Sequence, residues 1–174
     1  EWEMRRRSSP RSDYANWVRM HDTLSPEAQA RIAERASAMR DGPLISVLMP
    51  SYNPNPAWLR EAIESVRGQL YPNWELCVAD DASPSEEVRE LLRDYAQRDA
   101  RIKVVLRPKN GHISAASNSA LEEVTGAFVA PMDHHDLLPP HALFSVAECI
   151  VAHPDVQLIY SDEDKIDEAG QRFG

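Results

Sequence analysis

From Pro43 onward, short apolar runs alternate with stretches in which apolar residues recur every three or four positions. Leu44 to Met49 is an apolar, partly β-branched run that ends at Pro50 and predicts a central strand. Asn55-Pro56 then caps a helix that carries Leu59, Ile63, Val66 and Leu70 on one face. The pattern repeats, with a strand from Trp74 to Ala79 and a helix from about Ser85 that turns Val88, Leu91, Leu92 and Tyr95 inward. Ile102 to Leu106 is the third strand. Asn110-Gly111 marks a turn into a helix with Ile113, Ala116, Ala120, Leu121 and Val124, which stops at Gly126. Phe128 to Met132 predicts a buried fourth strand, Pro139 to about Ala152 a helix, and Val156 to Tyr160 a fifth strand. Strands alternating with helices of this length predict an α/β fold, a mostly parallel sheet with helices on both faces.

Residues 1–42 differ in character. Arg5, Arg6, Arg7 and Arg11, interspersed with Ser8, Ser9 and Pro10, read as a solvated linker. Ser25-Pro26-Glu27 has the cap, the first-turn proline and the acid of a helix start, and that helix runs to about Met39. The expected division is a linker and helical lead-in over 1–42 and one domain over 43–174. At 174 residues and 43% hydrophobic the chain can bury one core, and it reads as part of a longer protein. A net charge of -9 argues against nucleic acid as a partner. No apolar run reaches the roughly 20 residues of a membrane span, which leads to an expected cytoplasmic location, with the inner face of the membrane as an alternative. Cys77 and Cys149 lack ligand spacing and read as buried thiols.

In a parallel sheet, ligands bind beyond the carboxyl ends of the strands, and the unusual polar residues cluster there. Pro50-Ser51-Tyr52-Asn53 follows the first strand, Asp80-Asp81 the second and Asn110-Gly111-His112 the third. Asp133-His134-His135-Asp136 follows the fourth and Ser161-Asp162-Glu163-Asp164 the fifth, so five strand ends are expected on one rim. If the fourth end stays extended, Asp133 and His135 share a side; if it turns helically, Asp133 and Asp136 are neighbours. Either pair would hold a divalent cation. The rim is rich in carboxylates and poor in Lys and Arg, so an anion needs such a cation, Mg or Mn, to bridge it to a diphosphate. Neither a P-loop nor a G-x-G-x-x-G turn is present. Tyr52 offers a ring for base stacking, and Asp80 or Asp81 an acceptor for a ring N–H.

Four segments, Pro43 to Asn53, Trp74 to Ser83, Asn110 to Asn118 and the Asp133 stretch, resemble in order and spacing the donor half of family 2 glycosyltransferases with the Rossmann-like GT-A fold. The likeness is closest to bacterial enzymes of O-antigen and other surface-polysaccharide assembly. It implies a UDP- or dTDP-type nucleotide sugar as donor, a glycan or lipid-linked acceptor, and Mn2+ or Mg2+ as cofactor in an inverting transfer.

The resemblance also implies roles. Pro50 and Tyr52 would line the base pocket, Asn53 would belong to the nucleotide-sugar site, and Asp81, with Asp80 beside it, would bind the pyrimidine. Asn110, Gly111, His112 and Asn118 would lie along the ribose and diphosphate. Asp133 would open a D-x-D motif, with Asp133, His135 and Asp136 at the metal. The expected run is Asp-x-Asp-Asp, and His135 stands where the second Asp belongs. Imidazole suits Mn better than Mg. The catalytic base is expected after Gly174, so this chain would bind donor and transfer sugar poorly. A non-catalytic nucleotide-binding or assembly module is the alternative, and a phospho-receiver domain stands well behind both.

Overall fold

The computed structural model describes residues 10–167 and 170–173; the run from Arg5 to Ser9 lies outside them. Two helices, α1 (Pro10–His21) and α2 (Pro26–Ala38), precede the alternating part. That part runs β1 (Ile45–Ser51), α3 (Pro56–Arg67), β2 (Trp74–Asp80), α4 (Glu86–Arg98), β3 (Ile102–Leu106), α5 (His112–Leu121), β4 (Phe128–Pro131) and α6 (Ala142–Ala152). A short hairpin, β5 (Lys165–Ile166) and β6 (Arg172–Phe173), ends the described chain. No helix among the described residues is long and apolar enough to cross a membrane.

The strands β1 to β4 form one parallel sheet in the order β3-β2-β1-β4. Alternation along the strands splits its side chains between two layers. Ile45, Val47, Met49, Leu76 and Val78 pack with Leu59, Ile63 and Val66 of α3, Val88, Leu92 and Tyr95 of α4, and Leu143, Phe144 and Ala147 of α6. Leu48, Cys77 and Ala79 face the other way, toward Ala116 and Ala120 of α5. Small residues on α5 let that helix lie close to the sheet. Burial pushes the Cys77 thiol up to about 11, so it is a packing group without thiolate character at neutral pH. The helix starts follow the sequence signals: Asn55 accepts from the Ala57 N–H at 2.9 Å and Ser25 from the Ala28 N–H at 3.2 Å.

The chain divides into two compact units, one of Ala30–Val156 and one of the residues up to Gln29 with those from Gln157 on. In the second, Tyr14 Oη donates to Asp164 at 2.9 Å, and Arg172 pairs with both Asp164 and Asp22. This network ties α1 to the β5–β6 hairpin. It also makes Asp164 a structural acid in place of a free loop carboxylate.

Three expectations are corrected. Val156 to Tyr160 is not a strand: it has no ladder partner, and Leu158 and Tyr160 are 81% and 89% exposed. Four strand ends, not five, therefore border the sheet's carboxyl edge. Phe128 to Met132 is not uniformly buried. β4 pairs only with β1, and its exposure alternates along the strand, as an edge with one covered face requires. The last major helix begins at Ala142, three residues after Pro139, because Pro140 and His141 form a turn ahead of it, closed by the Ala142 N–H on the Pro139 carbonyl at 3.0 Å.

Candidate functional site

The chain winds from β1 to β2 to β3 in one direction and then returns to place β4 on the other side of β1. The carboxyl ends of β1 and β4 thus flank a topological switch point, where an open α/β sheet forms its crevice. The two strands part early. Their register ends at Leu48↔Pro131, with one more bond from the Met132 N–H to the Leu48 carbonyl at 3.0 Å. β1 continues against β2 alone through Pro50 and Ser51. Pro50, which has no N–H to offer, stands just beyond the last bond to β4.

On the β2 side, both aspartates are buried and occupied. Asp80 accepts from the Ser83 N–H at 3.0 Å and from the Ser83 hydroxyl, which in turn accepts from the Asn53 N–H at 2.8 Å. It therefore ties the turn after β2 to the turn after β1. Asp81, only 1% exposed, pairs with Arg107 Nε at 2.8 Å and accepts from the Gly111 N–H at 3.0 Å. Arg107 also donates to the Ala115 carbonyl and the Ser119 hydroxyl of α5. A Cβ at residue 111 would stand 2.7 Å from the Arg107 guanidinium, which explains the glycine. The rim is therefore not without a cation, as composition suggested. Arg107 was missed because one arginine directly after a strand carries no motif; its position there was the only available signal.

The backbone is strained at each of these three strand ends. Asn53, Ala82 and His112 have φ of 46°, 62° and 65°, in the left-handed region that side chains disfavour. Asn110 holds the third turn, accepting from the His112 N–H and donating to the Asp81 carbonyl, both at 3.3 Å. His112 opens α5 and is exposed. Asn118 lies six residues further along the helix, roughly 9 Å down its axis at 1.5 Å per residue, so it stands back from the rim. Tyr52 is half exposed, with a free ring at the end of β1.

After β4, Asp133 to Asp136 forms a tight turn. The Asp136 N–H donates to the Asp133 carbonyl at 3.1 Å, and the Asp133 N–H to the Asp136 carboxylate at 3.0 Å. The turn realises the Asp133–Asp136 neighbourhood. The His134 ring is half-buried. Burial, followed by the nearby His135 ring, holds the His134 imidazole below its ordinary pKa, while Pro50, Asp133 and Asp136 act in the opposite sense. The His135 ring meets it edge-on at 5.0 Å and is exposed.

Among the described residues, no three His, Cys, Asp or Glu side chains stand together as a metal cage. Two carboxylates in one exposed turn suit instead a cation that takes its other ligands from phosphate oxygens and water.

The profile of Glycosyl transferase family 2 matches residues 46–172. A protein of Sinorhizobium fredii, y4gI, is 56% identical over 156 residues, which span 90% of this chain and 17% of that protein. The O-antigen biosynthesis protein RfbC of Myxococcus xanthus is 36% identical over 165 residues, 92% of this chain and 12% of that protein. The chain thus spans less than a fifth of either relative. Among solved structures, S. aureus TarS 1-349 in complex with UDP-GlcNAc is 26% identical with a TM-score of 0.58, over 64% of this chain and 32% of that one.

Proposed function

Since the chain belongs to glycosyl transferase family 2 and has its GT-A fold, we propose that Ala30–Val156 binds the nucleotide-sugar donor of a sugar transfer to a glycan hydroxyl. One observation carries this reading. The occupied Asp81–Arg107–Gly111 cluster and the open Asp133–Asp136 turn lie after β2/β3 and after β4, on either side of the free Tyr52 ring at the end of β1. A nucleoside diphosphate has a matching polarity, with a flat base at one end and a charged diphosphate at the other.

In this proposal, Tyr52 stacks on the base, and Pro50 and Asn53 border it. Asp81 keeps lone pairs beyond those used by Arg107 and Gly111, and accepts a pyrimidine ring N–H. Asp80 acts indirectly, by fixing the turns. Asn110 and His112 lie toward the ribose. Asp133 and Asp136 hold Mn2+ or Mg2+, whose charge offsets that of the diphosphate; among the described residues His135 does not complete a three-ligand group with them. The likeness to TarS with UDP-GlcNAc supports a UDP-type donor, and that to RfbC supports a role in surface-polysaccharide synthesis.

Calorimetry of this chain with UDP, dTDP and GDP, each with and without Mn2+, tests the proposal. UDP or dTDP should bind, more tightly with Mn2+, and raise the unfolding temperature by mass action. Binding of none of them would overturn it. The lack of a three-ligand cage among the described residues favours one second reading, a nucleotide-binding module without metal chemistry. Its signature would be UDP affinity indifferent to Mn2+.

A further inference from the structure

The geometry points to Gln69 as a positioning residue for the Asp133–Asp136 turn, a role that rests on the donor-site reading above. The turn is suspended between two anchors. Its leading side is fixed by the β4–β1 pairing and the Met132 N–H bond to the Leu48 carbonyl. Its trailing side, Leu137 to His141, has neither helix nor strand, and its two prolines contribute no N–H. Its own turn, the Ala142 N–H on the Pro139 carbonyl at 3.0 Å, ties it only to the start of α6.

What holds it is Ser65 in the last turn of α3 together with Gln69 and Leu70 just after that helix. Gln69 is 8% exposed and uses both ends of its amide. Its Nε2 donates to the Pro139 carbonyl at 2.8 Å, the Ser65 carbonyl at 3.1 Å and, more weakly, the Leu138 carbonyl at 3.4 Å. Its Oε1 accepts from the Leu143 N–H at 3.0 Å, in the first turn of α6. Carbonyls on one side and an N–H on the other fix the amide's orientation. Ser65, one helical turn earlier, accepts from the Leu138 N–H at 3.2 Å, and the Leu70 N–H donates to the Pro140 carbonyl at 2.8 Å. Only a side chain with donor and acceptor at this reach can bridge the loop and the start of α6. Gln69 thus sets where the carboxylates stand without touching a ligand, as an outer-shell partner does for a metal ligand.

The base end of the site rests on β1, β2 and β3 and does not depend on this clamp. Calorimetry on this chain therefore compares uridine, UDP and UDP with Mn2+ for wild type, Gln69→Met and Ser65→Ala, with amide exchange read at Leu138 and Leu143. The expected result for Gln69→Met is a Mn-dependent gain in UDP affinity reduced about tenfold or more, the usual cost of losing an outer-shell partner. Uridine affinity should hold and exchange at Leu143 should accelerate. Ser65→Ala, which removes one bond only, should fold and show a smaller loss of the same kind, so the test stands even if Gln69→Met does not fold. A Mn-dependent gain that survives in both variants would overturn the role of Gln69 alone. So would a loss shared equally by uridine. A wild-type chain that binds no nucleotide would instead overturn the donor-site reading, and this role with it.

Discussion

The strongest local commitment in the site is a buried charge pair. Asp81 and Arg107 have side chains 2% and 20% exposed, and the carboxylate is also bound by the Gly111 N–H. Removing the cation strands an anion in the interior, which typically costs about 3–5 kcal/mol. Arg107→Met should lower the free energy of urea unfolding by about that amount, and Lys109→Met, two residues on, by far less. Ala82 is the opposite case. Its φ of 62° is costly for any side chain, so Ala82→Gly relieves about 1–2 kcal/mol of backbone strain. Part of that returns as extra unfolded-state entropy, up to about 1 kcal/mol. A net gain of about 0.5–1 kcal/mol in the same measurement is expected, and a loss would show that the turn needs the methyl group. The paired acids after β2 were legible because polar residues after an apolar run stand out. Their occupancy was not, since Arg107 reaches Asp81 only through the β2–β3 register that sets Asp80 beside Leu106.

At the scale of elements, what places β4 is a polar cluster at the end of the sheet remote from the site. Glu75 of β2 accepts from the Ser46 hydroxyl at 2.6 Å, the Thr125 N–H at 2.6 Å and the Thr125 hydroxyl at 2.8 Å, and pairs with Lys103 at 2.8 Å. It thereby gathers β1, β2, β3 and the entry to β4. Gly126 fits there because a Cβ would stand 2.5 Å from both the Leu44 carbonyl and the Ser46 hydroxyl. Desolvation pushes the Glu75 carboxyl up, but Lys103, Ser46 and Thr125 together outweigh it and hold the carboxyl at about 2, against an ordinary 4.5. A folded-state pKa below the unfolded one stabilises the protein fully above pH 4.5, and the contribution is lost as pH falls toward 2. Glu75→Gln should therefore cost on the order of 3 kcal/mol at neutral pH. The gap between wild type and variant should close on acidification through that window, as followed by urea unfolding at each pH. Elements with a helical or alternating period were legible because burial imposes the period. Val156 to Tyr160 was misread for the complementary reason, since an apolar run shows neither its partner nor the lack of one. Helix α1 went unread as well; its anchor is a network with Asp164 and Arg172, about 150 positions away in sequence.

For the molecule as a whole, the question is whether donor binding and sugar transfer can be separated. A general base has to present an unshared lone pair to solvent, within hydrogen-bond reach of the attacking hydroxyl. The four aspartates at the strand ends do not meet that requirement in the proposed complex. Asp80 and Asp81 are buried and bound by Ser83, Arg107 and Gly111, while Asp133 and Asp136 are assigned to the cation. Nor does His134 offer a ready proton acceptor at the surface, since its ring is half-buried. Binding energy at these positions can therefore hold the donor without activating an acceptor. This chain, given UDP-sugar, Mn2+ and a glycan acceptor, should bind the donor and release sugar no faster than the donor hydrolyses in buffer with Mn2+. Product analysis over several hours, run alongside calorimetry on the same preparation, checks both halves. Transfer well above that rate would mean that a base lies within these residues.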